Sequence, residues 1–251
     1  MPLLRCFLTL AVMSMGVPAC ASPAHPGHRN TNTVFQVSTL GALMEGVYDG
    51  DITYGEVKKH GDFGLGTFEH LDGEMVAFDG TVYQIRVDGK VYPVPDAMKT
   101  PFAVMTFFEA DRTLHVEDLL DCTQLQEQID AVLPTKNIPY AIRVDGDFTY
   151  IKARSVPGQG KPYPRLEEVI KQEVLFEFHD TQGTMAGFRF PTYMADLNVR
   201  GYHFHFVNAE RTAGGHVYDC RVDKVTVAID DMTEFLMHLP GHGDFYAVTL
   251  R

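Results

Sequence analysis

The stretch G-Y-H-F-H-F at residues 201–206, followed by G-G-H at 214–216, is the part of the sequence that most strongly indicates the fold. Side chains alternate between the two faces of a β-strand, so His203 and His205 share one face while the aromatic residues take the other. The turn-rich interval before the two glycines predicts a hairpin that returns as an antiparallel strand at His216. Opposed residues in such a pair have Cβ atoms roughly 4.5–5.5 Å apart. The pattern therefore predicts a three-histidine metal site on one face and core packing on the other.

The same spacing leaves an ordinary alternative open. Imidazole is the commonest neutral metal ligand near pH 7, which favours a site. A strand with two surface histidines and an unrelated third histidine would nevertheless show the same letters. The motif needs support from other parts of the chain.

Composition restricts the partners of the protein. The chain has 251 residues, 45% hydrophobic and 22% charged, which suits one sizeable core or two small ones. The net charge of −12 disfavours nucleic acid or an anionic membrane surface, because either would need a basic face. A small-molecule substrate is the expected partner.

The N-terminal segment 1–21 is predicted to be an export signal. Arg5 precedes an apolar run at 7–17 that is too short to span a bilayer and is typical of a secretory signal. The residues around Cys20 fit both an A-x-A cleavage site and a lipobox, in which the cysteine would be lipidated. Residues 22–34 are predicted to be a disordered leader. We therefore expect an exported protein, periplasmic or secreted, with a possible lipid anchor at Cys20.

Cysteine usage predicts no disulfide scaffold. Processing removes Cys6, and cleavage at the A-x-A site would also remove Cys20, which leaves Cys122 and Cys220 in the body of the protein. Cys220 lies four residues after His216, about 13 Å along a strand, too far for a shared ion. It is interpreted as a structural residue.

The pattern along the chain is strand-dominated with a few short helices. Three Asp-Gly turns between residues 71 and 90 predict consecutive hairpins, and two more hairpins are predicted at 145–147 and 180–183. Helices are predicted over residues 38–47, 53–59, 116–133 and 166–173, a helical turn over 233–239 and a last strand over 245–250. No βαβ rhythm, internal repeat or phosphate-binding glycine loop is visible in the sequence.

Several further stretches, taken in order, resemble one family over nearly the whole mature chain. The matching pieces are G-D-F-G-L-G-T-F at 61–68, L-D-G-E at 71–74, F-D-G at 78–80, A-R-S-V at 153–156 leading into Gln159 and Pro162–Tyr163, and G-Y-H-F-H-F at 201–206 with His216. They resemble the α-acetolactate decarboxylases, which convert 2-acetolactate to acetoin and carbon dioxide.

The resemblance implies a site and an architecture. The metal ligands for Zn²⁺ would be His203, His205 and His216, the catalytic residues Glu74 and Arg154, and the substrate-binding residues Thr67 and Arg154. It implies a homodimer and an α+β fold of two mixed or antiparallel sheet-rich domains, residues 35–150 and 151–251, with the metal site between them. The family also places a carboxylate from its C-terminal tail near the metal. Here nothing acidic follows Asp244, so either water or Asp244 would take that place.

The chemistry of the reaction suits these residue types. Loss of carbon dioxide from a β-keto acid leaves an electron pair that must move to the ketone oxygen as an enediolate, and zinc is the expected electron sink. Three histidines leave coordination positions open. The planar fork of Arg154 can bind the substrate carboxylate or the developing charge. Glu74 is the expected proton donor to one face of the enediolate.

Two other functions fit parts of the same pattern. A cupin-like metal dioxygenase also carries H-x-H on a strand, and Glu210 lies five residues after His205. An envelope metal-binding protein without catalysis would need a closed site. Without the resemblance, Glu74 is most simply a polar hairpin residue and Arg154 a surface charge at a strand end.

Overall fold

The protein is represented by a computed structural model that describes residues 31–250. The export signal, the processing site at Cys20 and residues 22–30 of the predicted leader lie outside the described residues. The first strand begins at Thr33, so the last two residues of the predicted leader are part of a strand. Within residues 31–250, no helix is both long and apolar enough to cross a membrane.

The described chain contains fifteen strands and five short α-helices. The strands are β1 (Thr33–Val37), β2 (Ile52–Thr53), β3 (Phe63–Thr67), β4 (Glu74–Phe78), β5 (Thr81–Ile85), β6 (Val91–Pro93), β7 (Lys99–Thr100), β8 (Ala103–Thr106), β9 (Arg112–Val116), β10 (Leu120–Asp121), β11 (Tyr140–Ser155), β12 (Val174–Phe190), β13 (Gly201–Asn208), β14 (Gly214–Asp231) and β15 (Glu234–His238). The helices are α1 (Leu40–Met44), α2 (Tyr54–Val57), α3 (Cys122–Val132), α4 (Leu166–Ile170) and α5 (Asp244–Ala247). This strand-dominated α+β composition confirms the predicted fold class.

Two large sheets carry the fold. The first has seven strands in the order β15-β1-β8-β3-β4-β5-β6, antiparallel except for the parallel pair β1–β15. The second follows the order β10-β14-β11-β12-β13, β9 also pairs with β14, and a short β13–β14 pairing joins the last strand back to β14. Strands from both halves of the chain enter each sheet. The predicted boundary at residues 150/151 falls inside β11, so the sheets do not divide there, and the domain division stays a prediction.

Three apolar clusters define the layers. The largest fills the space between the sheets, and Val76 of the first sheet and Phe188 of the second both belong to it. A second cluster packs the other face of the second sheet against Leu125 and Ile129 of α3. A third lies between the outer face of the first sheet and α2, where Tyr54 is fully buried. The layer order is therefore helix, sheet, sheet, helix, and anything held between the sheets is shielded from solvent on both sides.

Helix α3 begins later than the amphipathic pattern predicted. The side chain of Asp121 accepts a hydrogen bond from the Gln124 N–H, and the Gln124 side chain accepts one from the Asp121 N–H. This capping box satisfies two of the free N–H groups of the first turn. Within the predicted helix, Val116 instead ends strand β9 and Leu120–Asp121 form β10, and both strands pair with β14.

Two of the predicted hairpins are wrong, because β11 and β12 run without interruption through them. At Gly146 the backbone has φ +144°, and a Cβ there would collide with the carbonyl oxygen of Lys224. The pairing of β11 with β14 shifts register just after this glycine, so Asp145–Gly146–Asp147 forms a bulge rather than a turn. β12 likewise continues through residues 180–183, paired with β11 on one side. The glycine signal marked a close strand approach, which a local pattern cannot distinguish from a turn.

The C-terminal elements are also opposite to the prediction. Residues 233–239 contain strand β15, which pairs in parallel with β1, and residues 245–250 begin in helix α5 rather than in a strand. The partner of β15 lies about 200 residues earlier in the chain, from Thr33 to Glu234. Tertiary pairing over this separation overrides the local helical spacing.

The two cysteines of the body form a disulfide, which sequence analysis did not predict. Cys122 at the start of α3 is bonded to Cys220 in β14, and their Cα atoms are 5.0 Å apart. The bond attaches α3 to β14 of the second sheet, at a position where Cys220 is completely buried. The structural role expected for Cys220 takes this form.

Candidate metal centre

The predicted histidine hairpin is present. β13 and β14 pair antiparallel with His205 opposite His216, and His203 lies two residues earlier on the same face as His205. On its other side β14 pairs with β11, so that His216 is also opposite Arg154. Gly215 permits this close approach, because its backbone has φ +154° and a Cβ there would be 2.6 Å from the Arg154 carbonyl oxygen.

The three imidazoles converge through one nitrogen each. The Nδ1 of His216 is 3.1 Å from the Nε2 of His203 and 3.2 Å from the Nε2 of His205. The three candidate ligand atoms all lie within 4.8 Å of one another. Nitrogens that share a tetrahedral ion at 2.0–2.1 Å are about 3.3 Å apart, so the spacing fits one small cation.

The tautomer of His205 also suits a ligand. Its Nδ1 donates a hydrogen bond of 2.6 Å to the backbone carbonyl of Met75, which leaves the lone pair on the Nε2 that faces His216. A carbonyl oxygen can only accept, so this assignment follows from the contact. One proton on His216 cannot satisfy both close nitrogens well, whereas a cation accepts all the lone pairs. The donor set therefore fits a metal ion.

The histidines are held in their neutral form. Burial, together with the positive charge of Arg154, lowers the pKa of His203 to about 3. Burial likewise holds the pKa values of His205 and His216 well below the usual range, with Arg154 and the neighbouring histidines adding to the effect. Neutral imidazoles keep the lone pairs that a metal requires. The Nδ1 of His203 is buried and has no hydrogen-bond partner among the described residues.

Glu74 and Arg154 meet at the same place from opposite sheets. Arg154 at the end of β11 donates through Nη1 to Oε1 of Glu74 at the start of β4, and the other carboxylate oxygen is 3.5 Å from the Nε2 of His205. Both side chains are buried, with 10% and 6% of their surface exposed. Burial raises the pKa of Glu74, Arg154 opposes the rise, and the charge of Glu173 adds to it. The predicted catalytic pair thus lies beside the predicted ligands.

Thr67 lies directly across from Glu74 in the β3–β4 pair. Its side-chain hydroxyl donates a 2.7 Å hydrogen bond to the carbonyl of Gly73, the residue just before Glu74. Thr67 is 4% exposed and lines the same cavity as the histidines. It therefore both borders the site and supports the turn that leads to Glu74.

A cavity of about 90 Å³ connects these groups. Its polar end is formed by the three histidines with Glu74, Arg154 and Thr67. Its remaining wall is apolar and comes mainly from α1, α4 and the ends of the neighbouring strands: Leu40, Leu43, Leu71, Phe102, Val156, Leu166 and Val199. A small molecule with one charged end and short alkyl groups matches this division.

Two candidate residues lie away from the cavity. Glu210 is exposed at the tip of the hairpin and is not among the grouped ligands, which removes the dioxygenase-like carboxylate. Asp244 begins α5, is 3.2 Å from Lys161 and does not line the cavity, so it does not take the place of the family's tail carboxylate.

Three contributors were missed in the sequence. They are the carbonyl of Met75, which orients His205, and the side chains of Glu173 and Tyr218, which contact Arg154. A backbone carbonyl gives no sequence signal. Tyr218 does share strand parity with His216, and this was the one available hint.

The similarity to known proteins extends over nearly the whole described chain. The sequence profile of the family described as Alpha-acetolactate decarboxylase matches residues 34–251. A protein of that name from Methylococcus capsulatus is 51% identical over 221 residues, covering 88% of this chain and 85% of its own length. One from Methanosarcina mazei is 48% identical over 220 residues, covering 88% and 76%. The crystal structure of alpha-acetolactate decarboxylase from Bacillus subtilis strain 168 superposes with a TM-score of 0.85 at 40% identity, covering 86% of this chain and 93% of the other.

Proposed function

The chain belongs to the α-acetolactate decarboxylase family and is a decarboxylase, a lyase, and from this premise we propose that it converts 2-acetolactate to acetoin with the help of zinc. The observation that carries the proposal is the convergence of three neutral imidazoles and a buried Glu74–Arg154 pair on one small cavity. Among residues 31–250, no other three side chains of ligand type bring all their ligand atoms within 4.8 Å of one another.

The proposed ligands are the Nε2 atoms of His203 and His205 and the Nδ1 of His216. Imidazole donors suit zinc, and three of them leave coordination positions for a substrate. A bound zinc ion would supply Lewis-acid stabilisation of negative charge on the substrate's ketone oxygen. The hydrogen bond from His205 to Met75 keeps the ligand in the correct tautomer.

Arg154 is proposed to bind the substrate's carboxylate. Its Nη1 is engaged by Glu74, and the guanidinium lies in a buried site from which water is largely excluded. There a guanidinium interacts with a carboxylate more strongly than in water. Thr67 would line the substrate next to it. When the bond to carbon dioxide breaks, its electron pair moves into the neighbouring carbonyl, and the product is an enediolate.

Glu74 is proposed to give the proton that turns the enediolate into acetoin. Burial raises the pKa of this carboxyl group, which favours its holding a proton. It lies on one side of the cavity, beside His205, and so would deliver the proton to one face of the carbon. A single configuration of acetoin is the expected product.

Export and homodimer formation complete the proposal. A disulfide between Cys122 and Cys220 is typical of oxidising compartments and supports an exported protein. Whether Cys20 carries a lipid is decided by the intact mass of the exported protein, where an unmodified N-terminus near Ser22 excludes the anchor. The homodimer follows from the family resemblance and is tested by the mass of the protein in solution.

The first experiment combines purified protein with 2-acetolactate and measures acetoin and carbon dioxide before and after a chelator. We expect both products at first, loss of both in the metal-free protein, and recovery with one equivalent of zinc per chain. Full turnover in protein shown to contain no metal would contradict the zinc proposal.

The second experiment separates Arg154 from Glu74. Arg154→Lys keeps the charge but loses the planar fork and should cost about 10²-fold or more in rate with unchanged metal content. Glu74→Gln should slow turnover by about 10²–10⁴-fold and reduce the enantiomeric purity of the acetoin. The control is Arg189→Lys, a second buried arginine that pairs with Asp130 outside the cavity and should leave the rate unchanged. Glu74→Gln with wild-type rate and purity would assign the proton to another acid.

A further inference from the structure

The guanidinium of Arg154 has a second carboxylate partner, on the side away from Glu74. Oε2 of Glu173 is 3.5 Å from the Nε of Arg154, an ion-pair contact to a buried nitrogen that forms no hydrogen bond with the described residues. Glu173 lies in the turn after α4, where its N–H bonds to the carbonyl of Ile170. Its side chain is 18% exposed. One cation therefore faces two carboxylates from two different parts of the fold.

A tyrosine holds the second carboxylate in place. The hydroxyl of Tyr218 donates a 2.6 Å hydrogen bond to Oε2 of Glu173, the same oxygen that faces Arg154. The ring of Tyr218 lies 5.9 Å from the Cζ of Arg154 and meets the ring of His216 edge-on, with centroids 5.5 Å apart. Tyr218 thus contacts the carboxylate, the guanidinium and a proposed metal ligand at once.

We propose that Glu173 and Tyr218 are positioning residues for Arg154, fixing the orientation of its guanidinium for the substrate. The proposal rests on the role given above to Arg154. A guanidinium is planar, so contacts at two of its nitrogens, Nη1 with Glu74 and Nε with Glu173, fix the direction of the third. That nitrogen, Nη2, has no hydrogen-bonded protein acceptor within residues 31–250.

The structure also explains why a contact of 3.5 Å matters. The buried Arg154 is poorly solvated, so a carboxylate facing its Nε is a stronger partner than on the surface. A misplacement of about 1 Å in such a site can lower the rate by about 10²-fold, because the reacting groups must meet in a defined geometry. Tyr218 is 46% exposed, so the chain of contacts runs from the surface into the cavity.

The chain offers a matched control. Tyr150 donates a 3.2 Å hydrogen bond to Glu177, and Arg221 lies with its Cζ 5.9 Å from the Tyr150 ring. This trio has the same three residue types and the same cation–ring distance as Tyr218, Glu173 and Arg154. It lines no part of the cavity. Effects that depend only on losing a tyrosine–glutamate contact should be equal in the two places.

The test compares Glu173→Gln and Tyr218→Phe with Glu177→Gln and Tyr150→Phe in the full-length protein. We expect kcat/KM to fall about 10-fold for Glu173→Gln and about 3-fold for Tyr218→Phe, the sizes of a lost charged contact and of a lost support for it. Binding of 2-hydroxy-2-methylpropanoate, a carboxylate that cannot decarboxylate, should weaken by similar factors. Metal content and thermal stability should not change. The two control variants should match the wild type.

A double-mutant cycle makes the assignment specific to Arg154. In the Arg154→Lys background, Glu173→Gln should add less than about 2-fold, because the fork that Glu173 orients is already gone. A full additional 10-fold loss in that background would overturn the proposal, as would a rise in kcat/KM or wild-type values for Glu173→Gln and Tyr218→Phe. If Arg154→Lys itself keeps full activity, the role proposed for Arg154 fails first, and this result is distinct from the others.

Discussion

The two faces of β13 show opposite uses of burial. On the face toward the first sheet, His205 is 1% exposed and donates a hydrogen bond to the Met75 carbonyl of that sheet. On the face toward α3, Phe204 and Phe206 are buried among apolar side chains. Burial of Phe206 contributes to folding, whereas burial of His205 costs free energy and keeps the imidazole neutral. Neighbouring residues on one strand can therefore serve different purposes, with one face of the strand forming the candidate metal site and the other stabilising the fold.

The largest effect is expected from a substitution on the histidine face of β13. His205→Ala should abolish stoichiometric metal binding and lower acetoin formation by about 10³-fold or more, because two histidines hold an ion far more weakly than three. The unfolding free energy of the metal-free protein should change little, as measured by urea denaturation. His115→Ala, an exposed histidine outside the site, is the control. Retention of metal and turnover by His205→Ala would remove it from the ligand set.

The next largest effect is expected from a substitution on the opposite, phenylalanine face of β13. Phe206→Ala should lower the free energy of unfolding by about 3–5 kcal/mol, since it empties a fully buried site in contact with Phe148 and Phe178. Turnover per folded molecule and metal content should remain close to wild type at low temperature. Urea denaturation and active-site titration measure the two quantities. A loss of metal in the folded fraction would show that the faces are not separable.

The disulfide lies on the same side of the second sheet as Phe204 and Phe206, so its removal should also affect stability rather than catalysis. Replacing both Cys122 and Cys220 by alanine should lower stability by about 2–4 kcal/mol, since the bond closes a long loop with a sequence separation of 98. The rate at 25 °C should be unchanged. Thermal unfolding with and without a reducing agent provides the measurement, and equal melting temperatures would contradict a stabilising role.

The smallest effect is expected at Asp230, a buried carboxylate of β14 that lies outside the cavity. The pKa of Asp230 is raised to about 7, because burial and the nearby acidic groups outweigh the hydrogen bond from the Glu109 N–H, which lowers it. The folded state therefore binds a proton that the unfolded state releases near pH 4, so stability falls as the pH rises from about 4 to 7. Asp230→Asn should stabilise the protein by about 1–2 kcal/mol at pH 8 and by nearly nothing at pH 4. Equal stabilisation at both pH values would contradict this cause.

The sequence predicted those features that depend on residues close together in the chain. The histidine hairpin was predictable, because alternation and a short turn determine which side chains meet. Glu74 and Arg154 were assigned only through the family resemblance, since residues 80 positions apart in two sheets leave no local pattern. β15 was mistaken for a helical turn because its partner strand begins at Thr33. Glu173 was invisible for the same reason, as its partner Tyr218 is 45 residues away.

The hydrogen bond from His205 to Met75 also bears on the order in which the protein matures. The three histidines are separated by at most 13 positions on one hairpin, whereas Met75 is 130 positions from His205. A nascent hairpin can therefore capture an ion before the sheets have docked, while the correct tautomer and the neighbouring Glu74 arrive only with docking. We therefore expect metal binding to precede catalytic competence, with an intermediate that carries the ion without activity between them.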